Sequence, residues 1–263
     1  MTIDYIKLSP TGNITILVTT QVPRQHHVEI ASALLHRVGG EQVGFIEHPF
    51  GTDARLQMMG GEFCGNATMS LCAILARERN LNEPTNFVVE VSGCTAPVPC
   101  TIRRDGDGWL GAVRMPLPRQ ISTVELDTDG GPLRVPLVEM PGIAHLILPL
   151  GLGAMQLRHR LPEWNRRIRA DALGALAWNE ATSTIDPLVY VPSTGTIMRE
   201  HGCGSGSAAV GCWLSERSMA DIHADIRQPG GVITVDARRA GPTLASLSIT
   251  GKVAVLEEGQ VAI

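Results

Sequence analysis

Apolar positions along this chain follow two rhythms, a strand rhythm and a helix rhythm, which alternate through the first half and again through the second. Tyr5 to Leu8 and Ile14 to Val18 read as short strands separated by the turn cluster Ser9-Pro10-Thr11-Gly12-Asn13, which places Asn13 on a tight bend. From His27 to Val38 the period becomes helical, with Ile30, Ala31, Leu34, Leu35 and Val38 on one face and Gly39-Gly40 as the stop. Glu41 to Glu47 then reads as a strand headed by Glu41. A second helix is predicted from about Asn66 to Arg79, and Met69, Leu71, Cys72, Ile74 and Leu75 leave it apolar on most sides. A helix with no wide polar face belongs in an interior, here wrapped by the sheet. Phe87 to Val91 and Ala112 to Met115 are further strands, and Pro116 and Pro118 mark a hinge between halves.

The order then repeats. Strands around Thr123 to Leu126, Leu133 to Glu139 and Ala144 to Leu148 precede a helix predicted from about Pro162 to Trp178, with Leu161, Trp164, Ile168, Ala172 and Leu176 near helical spacing. Leu188 to Val191 and Thr196 to Met198 are strands, Ala208 to Met219 is a second apolar helix, and Val232 to Asp236, Leu244 to Ile249 and Val253 to Leu256 close the chain as strands. The expected fold class is therefore α/β (α+β), with domains at residues 1–117 and 118–263 and the last strand able to return to the first domain. No linker is long enough for independent domains, so a site is expected in the cleft where the halves meet.

Both buried helices are headed by the same grammar. Gly60-Gly61-Glu62-Phe63-Cys64-Gly65-Asn66-Ala67-Thr68 and Glu200-His201-Gly202-Cys203-Gly204-Ser205-Gly206-Ser207 each place an acidic residue, a Cys-Gly pair and small capping residues before an apolar run. The copies lie 203 − 64 = 139 residues apart, about half the chain. A cysteine at a strand-to-helix junction sits where backbone amides converge, which suits anion binding and tunes a thiol.

Composition removes several function classes. The 263 residues are 44% hydrophobic, enough for sizeable cores, and carry a formal net charge of −4 with scattered arginines. That balance gives no footprint for nucleic acid or a membrane surface. The N-terminus is unlike a signal peptide and no apolar run is long enough to span a bilayer, so a cytoplasmic protein with a small-molecule partner is expected. The six cysteines, Cys64, Cys72, Cys94, Cys100, Cys203 and Cys212, form no CxxC pair. They read as free thiols with no metal site. Cys72 and Cys212, in the helices behind the motifs, read as packing residues.

Two thiols facing one substrate would suit inversion of an amino-acid α-carbon. The carboxylate would sit at the helix N-termini, whose amides stabilise the enediolate-like charge that develops as the α-proton leaves. One thiolate takes the proton from one face while the opposite thiol delivers one to the other. Pyridoxal phosphate would need a lysine, but the chain has only Lys7 and Lys252, both in or beside predicted strands and near no phosphate-binding motif, so no cofactor is expected. Gly202 to Gly206 lacks both the Walker lysine and the Rossmann glycine spacing. The alternatives are two merely buried cysteines, a thiol hydrolase using Cys203 and His201, and a non-catalytic amino-acid-binding protein.

The Cys64-Gly65-Asn66 and Cys203-Gly204-Ser205-Gly206 pair resembles the diaminopimelate epimerase-like family of cofactor-independent two-cysteine racemases over essentially the whole chain. Closer still, residues 9–18, 41–47, 62–70, 91–94 and 228–231 resemble the histidine racemases of staphylopine-type metallophore biosynthesis. The resemblance implies two pseudo-symmetric domains, each a curled, largely antiparallel sheet around a central helix, in a homodimer. It implies Cys64 and Cys203 as catalytic bases, with Asn13, Gly65, Asn66, Gly204 and Ser205 about the substrate. It also implies conversion of L-histidine to D-histidine for a metallophore. Departures from the diaminopimelate epimerases lie at Ile143-Ala144-His145, where those enzymes carry Asn-Pro-His, and at Thr194-Gly195, where they carry Glu-Arg. These point away from diaminopimelate and toward a substrate with one α-centre. Glu41 is the candidate partner for an imidazole N–H, and His145 the candidate pocket-bordering residue; 4-hydroxyproline and diaminopimelate remain the other substrates.

Overall fold

In the computed structural model, which describes residues 1–263, the chain divides into two units: Met1–Arg114 with Ile249–Ile263, and Met115–Ser248. The first unit contains β1 (Thr2–Pro10), β2 (Thr15–Val18), α1 (His27–Arg37), β3 (Gln42–Glu47), β4 (Ala54–Met58), α2 (Gly65–Glu78), β5 (Thr85–Val91), β6 (Val98–Asp105) and β7 (Gly108–Arg114). The second contains β8 (Gln120–Thr128), β9 (Gly131–Met140), β10 (Ile143–Pro149), α3 (Ala154–Ile168), β11 (Leu173–Asn179), β12 (Thr184–Val191), β13 (Thr196–Arg199), α4 (Gly204–Ser218), β14 (Ile222–Gln228) and β15 (Gly231–Ala240). A long strand, β16 (Thr243–Ala262), starts in the second unit and ends in the first.

The sheet of the first unit closes on itself. β1 pairs antiparallel with both β2 and β16, the order continues through β3, β4, β5 and β6 to β7, and β7 neighbours β16 again. Only β2–β3 and β4–β5 are parallel. Closure leaves the interior to α2, which packs against six of the strands and buries Met69, Leu71, Cys72 and Ile74 almost completely. Burying such side chains stabilises the unit by roughly 1.5–3 kcal/mol for each large one. Small residues on both sides allow the close fit; a Cβ at Gly111 of β7 would lie 3.0 Å from Met69. The second helix, α1, covers the sheet from the other side, where Ile30, Ala31 and Leu34 pack with Ile16, Val43 and Phe45.

The second unit repeats the plan. β8, β9 and β10 are antiparallel, β10 and β11 are parallel across α3, and β11, β12, β14 and β15 follow in order. Here α4 is the inner helix, against β9, β10, β14 and β15. It lies so near β15 that a Cβ at Gly211 would meet Val235 at 2.4 Å. Leu157, Leu161 and Trp164 of α3 share a core with Leu146, Leu148, Leu173 and Leu188.

Most expected elements are found within a few residues of their predicted bounds. The exception is the helix expected at 162–178. Helix α3 ends at Ile168, where Arg169 takes a left-handed conformation (φ 61°), and Leu173–Asn179 is strand β11. Pro162 lies inside α3 instead of opening it. Residues Leu173 to Leu176 are buried on both faces of a parallel pair, so they carry no alternation, and a short apolar run of that kind is ambiguous between strand and buried helix.

Candidate active site

Cys64 and Cys203 hold the same position in their units, the N-cap of the inner helix. Both have extended backbone, and each sulfur accepts a hydrogen bond from an N–H of the first turn: Ala67 at 3.4 Å for Cys64 and Gly206 at 3.3 Å for Cys203. A hydroxyl one turn on also answers in both, Thr68 donating to the Cys64 carbonyl (2.7 Å) and Ser207 to that of Cys203 (2.9 Å). The Cys-Gly-(Asn/Ser)-small grammar is thus a capping motif with sulfur in the place usually held by serine or aspartate. The amides and the positive end of the helix dipole favour a thiolate at each site.

In the first unit the Cys64 Sγ donates to Gln42 Oε1 at 3.1 Å. Gln42 Nε2 donates in turn to Asn13 Oδ1 (2.6 Å) and Thr15 Oγ1 (2.7 Å), and Asn13 Nδ2 donates to Glu41 Oε2 (3.0 Å). The approach to the helix is buttressed from the 92–94 turn. Ser92 donates to the Glu62 carbonyl (2.7 Å) and receives the Met58 N–H, and Gly93, with φ of 75°, lies against the backbone of Glu62 and Phe63. The Glu62 carboxyl itself turns back onto the N–H groups of Gly60 and Glu62.

In the second unit the supporting glutamine grips backbone. Gln228 Oε1 accepts from the Cys203 N–H (2.6 Å), and its Nε2 donates to Ser207 Oγ (2.9 Å). Cys203 is only 2% exposed. Burial pushes its thiol well up from the ordinary range and the hydrogen-bonded carboxylate of Glu200 pushes the same way, while Ser205 and the Gly206 amide pull it down. Ser205 Oγ lies 3.6 Å from the Cys203 sulfur and 3.0 Å from His145 Nε2.

His145 is fully buried, and desolvation lowers its pKa to about 3, so the ring is neutral. Its Nδ1 has no hydrogen-bond partner and packs onto Gly174, where a Cβ would approach that nitrogen to 2.2 Å. An unpaired lone pair is cheaper to bury than an unpaired N–H, so the proton sits on Nε2 and is donated to Ser205, leaving the serine hydroxyl able to donate to the sulfur. The buried ring also sets a pH dependence of stability. Below the unfolded-state value of about 6.5 the unfolded chain takes up a proton that the folded chain refuses until about pH 3. Stability therefore falls as the pH drops through that window, by about 2 kcal/mol between pH 8 and pH 5 from this group alone. His145→Gln is expected to remove that increment from urea unfolding measured at the two pH values, and equal losses in wild type and variant would overturn the assignment.

Of the residues singled out in the sequence, Asn13, Glu41, Cys64, Gly65 and Asn66 come together in the first unit, and His145, Cys203, Gly204 and Ser205 in the second. Sequence reasoning missed Gln42, Thr15, Gln228 and Ser207. Gln42 and Gln228 both stand inside quoted sequence blocks, but neither carries a local pattern that announces a distant partner. Cys72 and Cys212 are fully buried, and burial raises the Cys212 thiol to about 12, as suits packing residues.

The same arrangement of elements is found in a solved structure described as a probable proline racemase from Agrobacterium radiobacter K84 with bound carbonate. The two superpose with a TM-score of 0.77 at 16% identity, over 99% of this chain and 93% of that one. At that level of identity the likeness shows a shared fold. The family model described as the histidine racemase CntK N-terminal domain matches residues 2–262, and the histidine racemase of Staphylococcus aureus (strain Mu50) is 30% identical over 98% of this chain and 97% of that protein. This chain belongs to the histidine racemase family, and it is an amino-acid racemase. A diaminopimelate epimerase of Acidiphilium cryptum (strain JF-5) matches at 27% identity over 98% of this chain. No helix is long and apolar enough to cross a membrane, a statement that does not bear on β-barrels.

Proposed function

We propose that this enzyme interconverts L-histidine and D-histidine without a cofactor, with Cys64 and Cys203 as the two bases acting on opposite faces of one α-carbon. The observation that carries the reading is the matching N-cap position of two cysteines in a member of the histidine racemase family. The first-turn amides of Gly65, Asn66, Gly204 and Ser205 receive the substrate carboxylate, and the charge that grows there on deprotonation is met by the two helix dipoles. One cysteine, as thiolate, removes the α-proton, and the other, as thiol, returns a proton from the far side. Reversal of the two protonation states handles the opposite enantiomer. Glu41, whose carboxylate is oriented by Asn13, accepts the imidazole N–H and supplies the preference for histidine. His145 works from behind Cys203 through Ser205. The D-histidine so formed supplies an opine-type metallophore, and the enzyme acts as a cytoplasmic homodimer.

Incubation of L-histidine with the enzyme in D₂O is expected to give loss of optical rotation together with α-deuteration, seen by proton NMR, without added pyridoxal phosphate. Turnover of diaminopimelate or 4-hydroxyproline with none of histidine would overturn the substrate assignment.

A further inference from the structure

We infer that Gln42 is a positioning residue that holds Cys64 as a thiol ready to donate its proton, and that Glu41 imposes this through Asn13. The argument is one of hydrogen-bond polarity. A carboxylate can only accept, so the 3.0 Å contact between Glu41 Oε2 and the Asn13 side chain must present the Asn13 NH₂ group to Glu41. That turns Asn13 Oδ1 toward Gln42, which must answer with its own NH₂ at 2.6 Å. A second contact agrees with the same orientation. The Thr15 hydroxyl donates to the Asn13 carbonyl at 3.2 Å, leaving a lone pair for the Gln42 NH₂ at 2.7 Å. With both N–H bonds of Gln42 so engaged, its Oε1 faces the Cys64 sulfur at 3.1 Å, and a sulfur that meets an acceptor at that distance must carry the proton.

The consequence is a balance at Cys64. The Ala67 amide and the α2 dipole favour thiolate, while the oriented Gln42 oxygen favours thiol. Glu62, two residues upstream, engages the N–H groups of Gly60 and Glu62, and Glu41 enters through the relay. In the second unit the corresponding glutamine, Gln228, takes a backbone N–H and leaves its sulfur to Ser205 and Glu200. The two thiols are therefore poised by different chemistry although their caps match. What this does in turnover rests on the two-base reading, whereas the relay itself can be tested without any substrate.

The experiment is the pH profile of alkylation of the full-length enzyme by iodoacetamide, with Cys64 and Cys203 followed separately by mass spectrometry of their peptides. Gln42→Met removes the acceptor at similar volume, and Glu41→Gln lets both amides turn over so that Gln42 presents N–H to the sulfur. Each is expected to lower the Cys64 midpoint by about one pH unit, a roughly tenfold faster reaction below the midpoint. The limiting rate at high pH and the Cys203 midpoint should stay the same. Gln42→Glu, which can only accept, should move the Cys64 midpoint the other way. A simple loosening of the structure would instead raise the limiting rate. An unchanged midpoint in Gln42→Met, or a shift in the limiting rate alone, overturns the positioning role. A shift in Gln42→Met with none in Glu41→Gln overturns the control by Glu41. Failure of the wild-type enzyme to turn over histidine, with these shifts intact in the variants, would count against the proposed function and not against the relay.

Discussion

Cys64→Ser and Cys203→Ser are each expected to slow conversion of one histidine enantiomer into the other by about 10²–10⁴-fold, the contribution usual for a positioned acid or base. The physical reason is the alkoxide. A serine hydroxyl placed at the same N-cap would retain the hydrogen bond from Ala67 or Gly206, yet its proton is held far more tightly than that of a thiol, so it serves neither as base nor as ready acid near neutral pH. The two variants should differ in what they keep. Each retains one thiol, and that thiol can still withdraw the α-proton from the enantiomer presented to it and return a solvent deuteron to the same face. Deuterium exchange without inversion should therefore persist for one enantiomer in Cys64→Ser and for the other in Cys203→Ser. Chiral chromatography of deuterated histidine after incubation in D₂O reads both effects. Full racemisation in either variant, or exchange of the same enantiomer in both, would remove the two-base mechanism.

Gly93→Ala is expected to destabilise the first unit by roughly 2–4 kcal/mol and to cut activity as well. Two effects add at this position. The φ of 75° is one that a side chain tolerates poorly, and an added Cβ would lie 2.3 Å from the Phe63 nitrogen and 2.8 Å from the Glu62 carbonyl carbon. Those are backbone atoms and cannot swing aside, so the chain leading to Cys64 must shift. A displacement near 1 Å at a catalytic group is enough for a loss of about 10²-fold in rate. Gly39 supplies the control: its φ is also 75°, but nothing lies within 4 Å of its Cβ position. Gly39→Ala should therefore show the conformational effect alone, about 1–2 kcal/mol, with activity kept. Urea unfolding and initial rates on the same preparations compare the two. A Gly93→Ala enzyme no less stable and no less active than Gly39→Ala would refute the buttress.

Much of this was readable along the chain because it is encoded locally. The capping chemistry of Cys64 and Cys203 is contained within about one helical turn, and the sulfur, the N–H three residues on and the hydroxyl four residues on are all adjacent in sequence. The apolar character of α2 on most sides likewise announced a helix enclosed by a sheet. The stretch from 162 to 178 failed for the complementary reason. Leu173 to Leu176 are strand residues only because β10 and β12 lie on either side of them, and buried parallel strands show no polar face to reveal their period.

The sequence by itself determined the class of chemistry: two cysteines at equivalent helix starts in a duplicated α/β plan, inside a family of racemases. What surrounds each thiol was decided by the tertiary structure alone. Gln42 stands 22 residues before Cys64, and His145 stands 60 before Ser205. Side-chain amides, hydroxyls and imidazoles have no preferred partner at such separations until the packing of strands and helix in each unit brings them within 3 to 4 Å. A cap is local because its partners are fixed by helix geometry, whereas the polarity of the groups facing a thiol depends on which strands become neighbours.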